Sequence, residues 1–288
     1  MNIERHNTHK VKFNISIFSN LLQVKSPFKY KRTSKAKRGK ISGFSRGSRF
    51  RLLKVLFSLT VLPTHFLTLT YPKNFPVDAR RWKRDLDVFS KALLRAFPKA
   101  WFVWKLEPQK RGAPHFHLLG TFGTKVNFWY LCWWLSFTWY RIVGSGDIKH
   151  LLAGTQVKVP EGKTAIRKYV SKYVGKPFSE NDLPEAWRYP GRYWGIIGRQ
   201  NFPKRELIYF SEFTVEEVIE LKRFIRRWLR SIGRKSKSTK RFIKFLRNSF
   251  SFTVFVPCNA VLRFLLTLRT ADFSLYFPEL PDYLFCFV

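Results

Sequence analysis

The sequence predicts an α+β fold in which a central antiparallel sheet of four to five strands is backed by helices. Residues 66–71 alternate in side-chain character with period two, as a strand does. Residues 101–107 and 115–122 are two further strand-like segments, and the turn between them is rich in Pro, Gly and charge, which is typical of a hairpin. Because hairpins and helices are mixed along the chain, an antiparallel sheet is favoured over a doubly wound parallel one.

Two helices precede and follow the predicted hairpin. Asp78 is expected to cap the first helix, which Pro98 ends, and its apolar residues share one face: Trp82, Leu86, Phe89 and Leu93. Residues 128–143 form the second helical pattern and are apolar on nearly every side. We therefore expect this helix to be sandwiched in the core, since it is too short to span a bilayer.

The second half of the chain carries weaker signals. Thr214 and Glu217 form a capping box for a helix that runs through Arg230. The remaining predicted elements are strands at 65–71, 154–159, 192–199 and 206–210 and a helix at 164–176.

The charge balance predicts a polyanionic partner. The 288 residues include 54 Lys and Arg against 18 Asp and Glu, a net charge of +36, and the 18% of aromatic residues excludes a disordered basic tail. Basic residues concentrate in two blocks, so four regions are expected: a basic N-terminal arm (1–54), a central domain (55–212), a basic helical extension (213–248) and an apolar tail of unknown role (249–288).

Cysteine spacing and hydropathy indicate where the chain acts. The three cysteines form neither a metal-binding spacing nor a disulfide framework, and the N-terminus has no apolar signal region, so a cytoplasmic location is expected. The uncharged runs at 55–72 and 248–262 contain prolines, and a membrane span in the second is the minority alternative. No phosphate-binding loop is complete, because Val157 stands where the motif before Gly162 needs glycine, so no nucleotide cofactor is expected.

The predicted hairpin carries the first chemically informative cluster. If Glu107 faces His115 across the strand pair, the carboxylate and the imidazoles of His115 and His117 share one face of the sheet. Two histidines and a carboxylate suit a divalent metal with open positions, and Gln109 in the turn is a rival third ligand. The turn residues Lys110 and Arg111 suit contacts to a phosphate backbone.

A second cluster lies in the segment RKYVSKYVGK. Tyr169 and Tyr173 are one helical turn apart, and each is followed three residues later by a lysine, Lys172 or Lys176. A nearby ammonium favours the phenolate and so makes a tyrosine a better nucleophile. The alternative is an amphipathic helix with aromatic core contacts and solvated lysines.

Three segments, FLTLTYP (66–72), PHFHLL (114–119) and KYVSKYVGK (168–176), resemble motifs one, two and three of the HUH endonuclease superfamily. Two tyrosines separated by three residues are similar to those of the rolling-circle replication initiators of small single-stranded DNA phages and related plasmids. The resemblance covers about residues 40–210 and implies an RRM-like sheet with the tyrosine helix packed across a metal.

The resemblance also implies an activity and partners. His115, His117 and Glu107 would hold Mg²⁺ or Mn²⁺, and Tyr169 or Tyr173 would nick single-stranded DNA at an origin hairpin, leaving a 5′-phosphotyrosine and a 3′-hydroxyl that primes a host polymerase. The second tyrosine would rejoin the strand after one round. Lys168 is a further candidate DNA contact, and a host helicase is an expected partner.

Other functions remain open at the level of sequence. A transposase or a plasmid-mobilising relaxase uses similar motifs and one or two tyrosines. A non-catalytic basic nucleic-acid-binding protein explains the charge and the aromatic content but leaves the two clusters as coincidences. A structural phage or DNA-packaging protein is a third possibility.

Overall fold

The protein has an α+β fold with two antiparallel sheets, which confirms the predicted fold class. The computed structural model describes residues 12–18, 21–27, 43–57, 59, 61–160, 184, 187, 190–203, 208–231, 237–255 and 258–268. The chain divides into two compact units: one contains residues 1–35, 57–59 and 205–288, and the other contains residues 36–56 and 60–204.

Within the described residues the strands are, in chain order, β1 (Phe13–Phe18), β2 (Leu21–Lys25), β3 (His65–Thr70), β4 (Trp101–Pro108), β5 (Pro114–Thr121), β6 (Thr155–Lys158), β7 (Trp194–Ile197), β8 (Ile208–Phe213) and β9 (Phe252–Phe255). The described helices are α1 (Arg46–Phe57), α2 (Ala79–Ala96), α3 (Phe128–Val143), α4 (Ile148–Ala153), α5 (Val215–Ser231), α6 (Lys237–Asn248) and α7 (Cys258–Thr267). The predicted helix at 164–176 lies outside the described residues.

The five-stranded sheet has the order β6-β3-β5-β4-β7, and all of its neighbouring strands are antiparallel. Its core face carries large apolar side chains that cluster with the buried faces of α2 and α3: Leu67, Leu69, Phe102, Leu106, Phe116 and Leu118. Because side chains alternate along a strand, the residues between them, including His115 and His117, lie on the opposite face. The central strand β5 thus joins the core to the candidate site.

Helix α2 begins and ends where the sequence predicts. The carboxylate of Asp78 accepts a hydrogen bond from the backbone N–H of Arg80 at 2.9 Å, and the helix ends at Ala96, before Pro98. The predicted face is buried: Trp82, Leu86, Phe89 and Leu93. The capped start and the apolar stripe therefore specify this element locally.

Helix α3 has the predicted bounds but not the predicted surroundings. Its inward face, Leu131, Leu135 and Trp139, is buried, whereas Trp129 and Trp133 on its outer face are 77% and 60% exposed. The expectation that this helix is sandwiched in the core is therefore wrong. A helix that is apolar all round does not reveal which side will be covered, and here only one side packs on the sheet.

The four-stranded sheet has the order β8-β1-β2-β9 and packs against its own helices. Strands β1 and β2 lie in the range 1–54, for which the sequence suggested an arm, and β9 and α7 lie in the range 249–288, read as a tail. Helix α5 starts with the predicted capping box, since Thr214 N–H donates to Glu217 at 2.7 Å and Glu217 N–H donates to Thr214 at 3.2 Å. The functional boundaries of the four regions stay a prediction.

No helix within the described parts of the chain is both long enough and apolar enough to cross a membrane.

Lys83 on α2 predicts a pH dependence of stability. Its ammonium lies 4.5 Å from the ring centroid of Trp104 and donates to the backbone carbonyl of Arg192, and burial lowers its pKa from 10.5 to about 7. Between pH 7 and 10.5 the unfolded state therefore binds more protons than the folded state, so the free energy of unfolding rises with pH. The cost of burying the charge is present in full below pH 7.

We expect the difference in unfolding free energy between the native protein and Lys83→Met to change in favour of the native protein from pH 7 to 10, by at most about 1.4 kcal/mol per pH unit. Urea unfolding at several pH values measures it. Lys91→Met on the exposed side of α2 is the matched control and should give a difference that does not vary with pH. An equally flat difference for Lys83→Met would contradict the prediction.

Candidate functional site

The predicted register of the hairpin is confirmed. Strand β4 pairs with β5 so that Glu107 lies opposite His115 and Lys105 lies opposite His117. On the other side of β5, Thr70 and Thr68 of β3 lie opposite the same two histidines. The imidazole rings of His115 and His117 stack with their centroids 4.3 Å apart. These side chains therefore form one cluster on the face of the sheet that α2 and α3 leave uncovered.

The turn between β4 and β5 fixes this register. The backbone N–H of Gln109 donates to the carbonyl of Ala113 at 2.9 Å, and the N–H of Gly112 donates to the carbonyl of Gln109 at 2.8 Å. Gly112 has φ +79°, and a Cβ there would lie 2.9 Å from Cγ of Pro184. Trp187 donates to the carbonyl of Gly112 at 2.8 Å, so the chain beyond residue 183 is anchored beside the turn. Glycine is required at this position for both backbone conformation and space.

Glu107 is held by two partners inside the cluster. One carboxylate oxygen pairs with Nζ of Lys105, and the other lies 3.3 Å from Nε2 of His117. Burial acts to raise the pKa of Glu107, but the hydrogen bond from His117 and the positive charge of Lys105 outweigh it, so the pKa lies below its ordinary value. The carboxylate is therefore ionised at neutral pH.

Lys105 is a site residue that the sequence interpretation missed. Its side chain is 5% exposed, and its Nζ lies 5.1 Å from the ring centroid of Phe44, which precedes α1. Burial lowers its pKa, and the charge of Glu107 partly offsets that effect. Lys105 has the same strand parity as Glu107, and this signal could have placed it on the histidine face.

His115 has one engaged and one unengaged ring nitrogen. Its Nδ1 lies 3.1 Å from Nε2 of Gln109, whereas its buried Nε2 has no hydrogen-bond partner within the described portion of the protein. Burial, followed by the charge of His117, lowers the pKa of His115 to about 4. The ring is therefore neutral at pH 7, which is the form that coordinates a metal.

The donor set suits a divalent metal in kind, because two imidazoles, a carboxylate and an amide lie together and one buried imidazole nitrogen lacks a partner among the described residues. In their present positions, however, no three His, Cys, Asp or Glu side chains in the described part of the chain converge on one metal position. Glu107 is turned toward Lys105 and His117, and Gln109 toward His115. One of these two side chains must therefore exchange a partner before a third ligand is available.

The predicted nucleophiles and their neighbours, Tyr169, Tyr173, Lys168, Lys172 and Lys176, lie within 161–183, outside the described residues. Their roles stay predictions. Lys110 is exposed at the tip of the hairpin turn, as a phosphate contact would need.

Arg111, predicted to contact DNA, makes a structural cluster of bonds. Its guanidinium donates to the backbone carbonyls of Tyr71 at 2.6 Å, Pro72 at 2.7 Å and Lys73 at 3.1 Å, and to the side-chain oxygen of Gln109 at 3.0 Å. These bonds tie the hairpin turn to the loop that follows β3. Most of the donors of the guanidinium are thereby used, and a role in DNA binding stays a prediction.

We expect Arg111→Ala to lower the free energy of unfolding by about 1–3 kcal/mol, because three backbone carbonyls lose a charged donor. Arg111→Lys should restore only part of it, since an ammonium cannot match the planar fork. Urea unfolding measures both variants, and Lys110→Ala is the control at the exposed neighbouring position. A loss no greater than that of the control would refute the anchoring role.

Comparisons with known proteins fall on the same part of the chain. Residues 64–178, which include β3, the hairpin and the tyrosine segment, match the family model of the replication-associated protein ORF2, also called gene 2 protein. The chain is 24% identical over 256 residues to the replication-associated protein of Pseudomonas phage Pf3, and the match covers 82% of this chain and 89% of the phage protein.

Two bacterial relatives are named as putative replication proteins. The one from Xylella fastidiosa strain Temecula1 is 29% identical over 171 residues, which is 56% of this chain and 62% of the relative. The one from strain 9a5c is also 29% identical over 171 residues, and there the match spans 58% of the relative. The chain thus spans about three-fifths of the length of these two proteins. No solved structure matches the chain.

Proposed function

We propose that the protein initiates DNA replication by nicking single-stranded origin DNA through a tyrosine. The replication-associated family match and the relatives named as replication proteins support an initiator role. The observation that carries the nicking chemistry is the pair of stacked histidines beside Glu107 on the central strand. This arrangement lies within the residues that match the family.

The proposed metal is Mg²⁺ or Mn²⁺, held by His115, His117 and Glu107, with Gln109 as the alternative third ligand. When bound, such a metal polarises the scissile phosphate as a Lewis acid. The neutral imidazoles supply nitrogen ligands on a rigid strand, and the ionised Glu107 supplies charge. Lys105 keeps that carboxylate ionised and positioned until it is used.

The proposed nucleophile is Tyr169 or Tyr173. The phenol oxygen loses its proton and forms a bond to phosphorus, and the bond from phosphorus to the 3′ oxygen breaks. The 3′ oxygen takes up a proton and becomes the primer hydroxyl, while the 5′ phosphate stays on the tyrosine. Lys172 and Lys176 favour the phenolate by their charge. The phosphodiester bond energy is kept in the tyrosyl link, so no nucleotide cofactor is needed.

After one round of synthesis by the host polymerase, with a host helicase opening the duplex, the second tyrosine attacks the regenerated origin. The first strand can then be rejoined and released. Lys110 and Lys168 would contact the phosphate backbone, and the net charge of +36 adds affinity that does not depend on sequence and falls steeply with salt.

Replacement of both tyrosines tests the chemistry. Wild-type protein, Mn²⁺ and internally labelled circular single-stranded DNA with varied hairpins should give an adduct that survives SDS, and EDTA or Tyr169→Phe with Tyr173→Phe should abolish it. Tyr140→Phe, which removes a phenol on α3, is the control and should keep the adduct. The double variant should still bind the DNA. An adduct that persists without both phenols would falsify tyrosine nicking.

Metal binding has a readout that is independent of activity. Mn²⁺ at about 100 times its dissociation constant should raise the free energy of unfolding by about 2.7 kcal/mol, and His115→Ala with His117→Ala should remove that increase. His65→Ala, at the other end of β3, is the matched control.

Glu107→Gln and Gln109→Ala then identify the third ligand, and we expect Glu107→Gln to weaken Mn²⁺ binding more. The metal-dependent increase is compared within each variant, so a change in the stability of the metal-free protein does not affect the result. A rise in stability that is unchanged in the double histidine variant would exclude this site.

A further inference from the structure

The outer face of α3 carries an exposed row of aromatic side chains that the proposed nicking site does not use. Tyr130, Trp133 and Phe137 are 50%, 60% and 39% exposed, and Arg141 follows one turn later. We call these four residues the aromatic ladder. Large exposed apolar surfaces are uncommon on folded domains and mark sites of interaction.

The rings of the ladder are ordered rather than scattered. Trp133 and Phe137 lie nearly parallel, at 7° with centroids 5.5 Å apart, and Tyr130 lies 6.2 Å from Trp133 at 34°. The guanidinium carbon of Arg141 is 5.7 Å from the centroid of Phe137. The helix therefore presents a continuous series of π faces that ends in a cation.

A groove runs beside the ladder between α2 and α3. Its volume is about 740 Å³, and the described residues that line it are Phe137, Arg141 and Arg95 together with small and apolar side chains, with no acid among them. The sequence from 122 to 146 contains Lys125 and Arg141 and likewise no acid. The groove thus combines positive charge with exposed rings, a combination complementary to a polyanion that carries planar bases.

We propose that the aromatic ladder and this groove bind single-stranded DNA, with bases stacked on Trp133 and Phe137 and phosphates held by Arg95 and Arg141. The proposal rests on the proposed function for the identity of the strand. Because α3 packs on the core face of the five-stranded sheet, this surface is separate from the histidine cluster on the other face. It therefore holds a stretch of the strand distant from the scissile phosphate.

A second copy of the chain or another protein could also cover an apolar helix face, and the two kinds of occupant respond differently to substitution. A protein interface needs apolar volume, which leucine supplies. Base stacking needs a planar π surface, which tyrosine supplies and leucine does not.

The experiment measures binding of the full chain to a labelled oligothymidine of about 20 nucleotides by fluorescence anisotropy at fixed salt. We expect Trp133→Leu with Phe137→Leu to weaken binding by about tenfold or more, and Trp133→Tyr with Phe137→Tyr to keep it within about threefold. Leu152→Ala, at an apolar residue that is 78% exposed in the same unit, is the matched control and should bind as the native protein does. Unfolding midpoints confirm that each variant is folded.

Equal affinity for the leucine and native proteins would overturn the proposal, and so would an equal loss in the leucine and tyrosine variants. Loss of self-association in Trp133→Asp with Phe137→Asp, with unchanged DNA affinity, would assign the ladder to a second copy instead. The leucine variant should still form the tyrosyl adduct on a short hairpin substrate at saturating concentration. If native protein forms no adduct but its affinity depends on the rings, the nicking function fails and the ladder stands.

Discussion

The register of the β4–β5 hairpin determines which face of the five-stranded sheet carries the two histidines. A slip of one residue would turn His115 and His117 into the core and bring Phe116 to the surface. The buried Phe116 and the positive φ of Gly112 oppose that slip from the middle and from the turn of the hairpin. At the far end, Gly120 allows a close approach, since a Cβ there would lie 2.0 Å from the carbonyl oxygen of Trp101. The position of every group in the cluster follows from this pairing.

Charge inside the cluster depends on one buried pair. Removing Lys105 and Glu107 from water is costly, and each is tolerable only because the other is present. A cation at the histidines would compete with Lys105 for the carboxylate, and a phosphodiester would offer Lys105 another anion. The two changes compensate each other, so entry of metal and DNA together is favoured over entry of either alone. The close packing of Phe44 over Lys105 limits the access of water that would screen these charges.

Strand parity and helix caps were sufficient to predict the hairpin register and the bounds of α2 and α3, because these features depend on neighbours in sequence. The environment of α3 could not be predicted, since its apolar residues surround the helix. The four-stranded sheet joins residues 13–25 to residues 208–255, and short strands so far apart leave no local signal. Arg111 binds backbone carbonyls, which have no sequence identity. The tyrosine cluster lies outside the described residues and stays a prediction.

Charge alone cannot distinguish a single strand from a duplex, because both present phosphates and the net charge of +36 attracts either. Stacking on exposed rings requires unpaired bases and therefore supplies the selectivity that charge lacks. The five-stranded sheet places the two functions on different faces, with the histidines on one and the aromatic ladder beyond the core on the other. A strand held on the ladder would raise the local concentration of single-stranded DNA near the histidines without occupying them. Selection of the strand and chemistry on its phosphate would then be separable properties of one sheet.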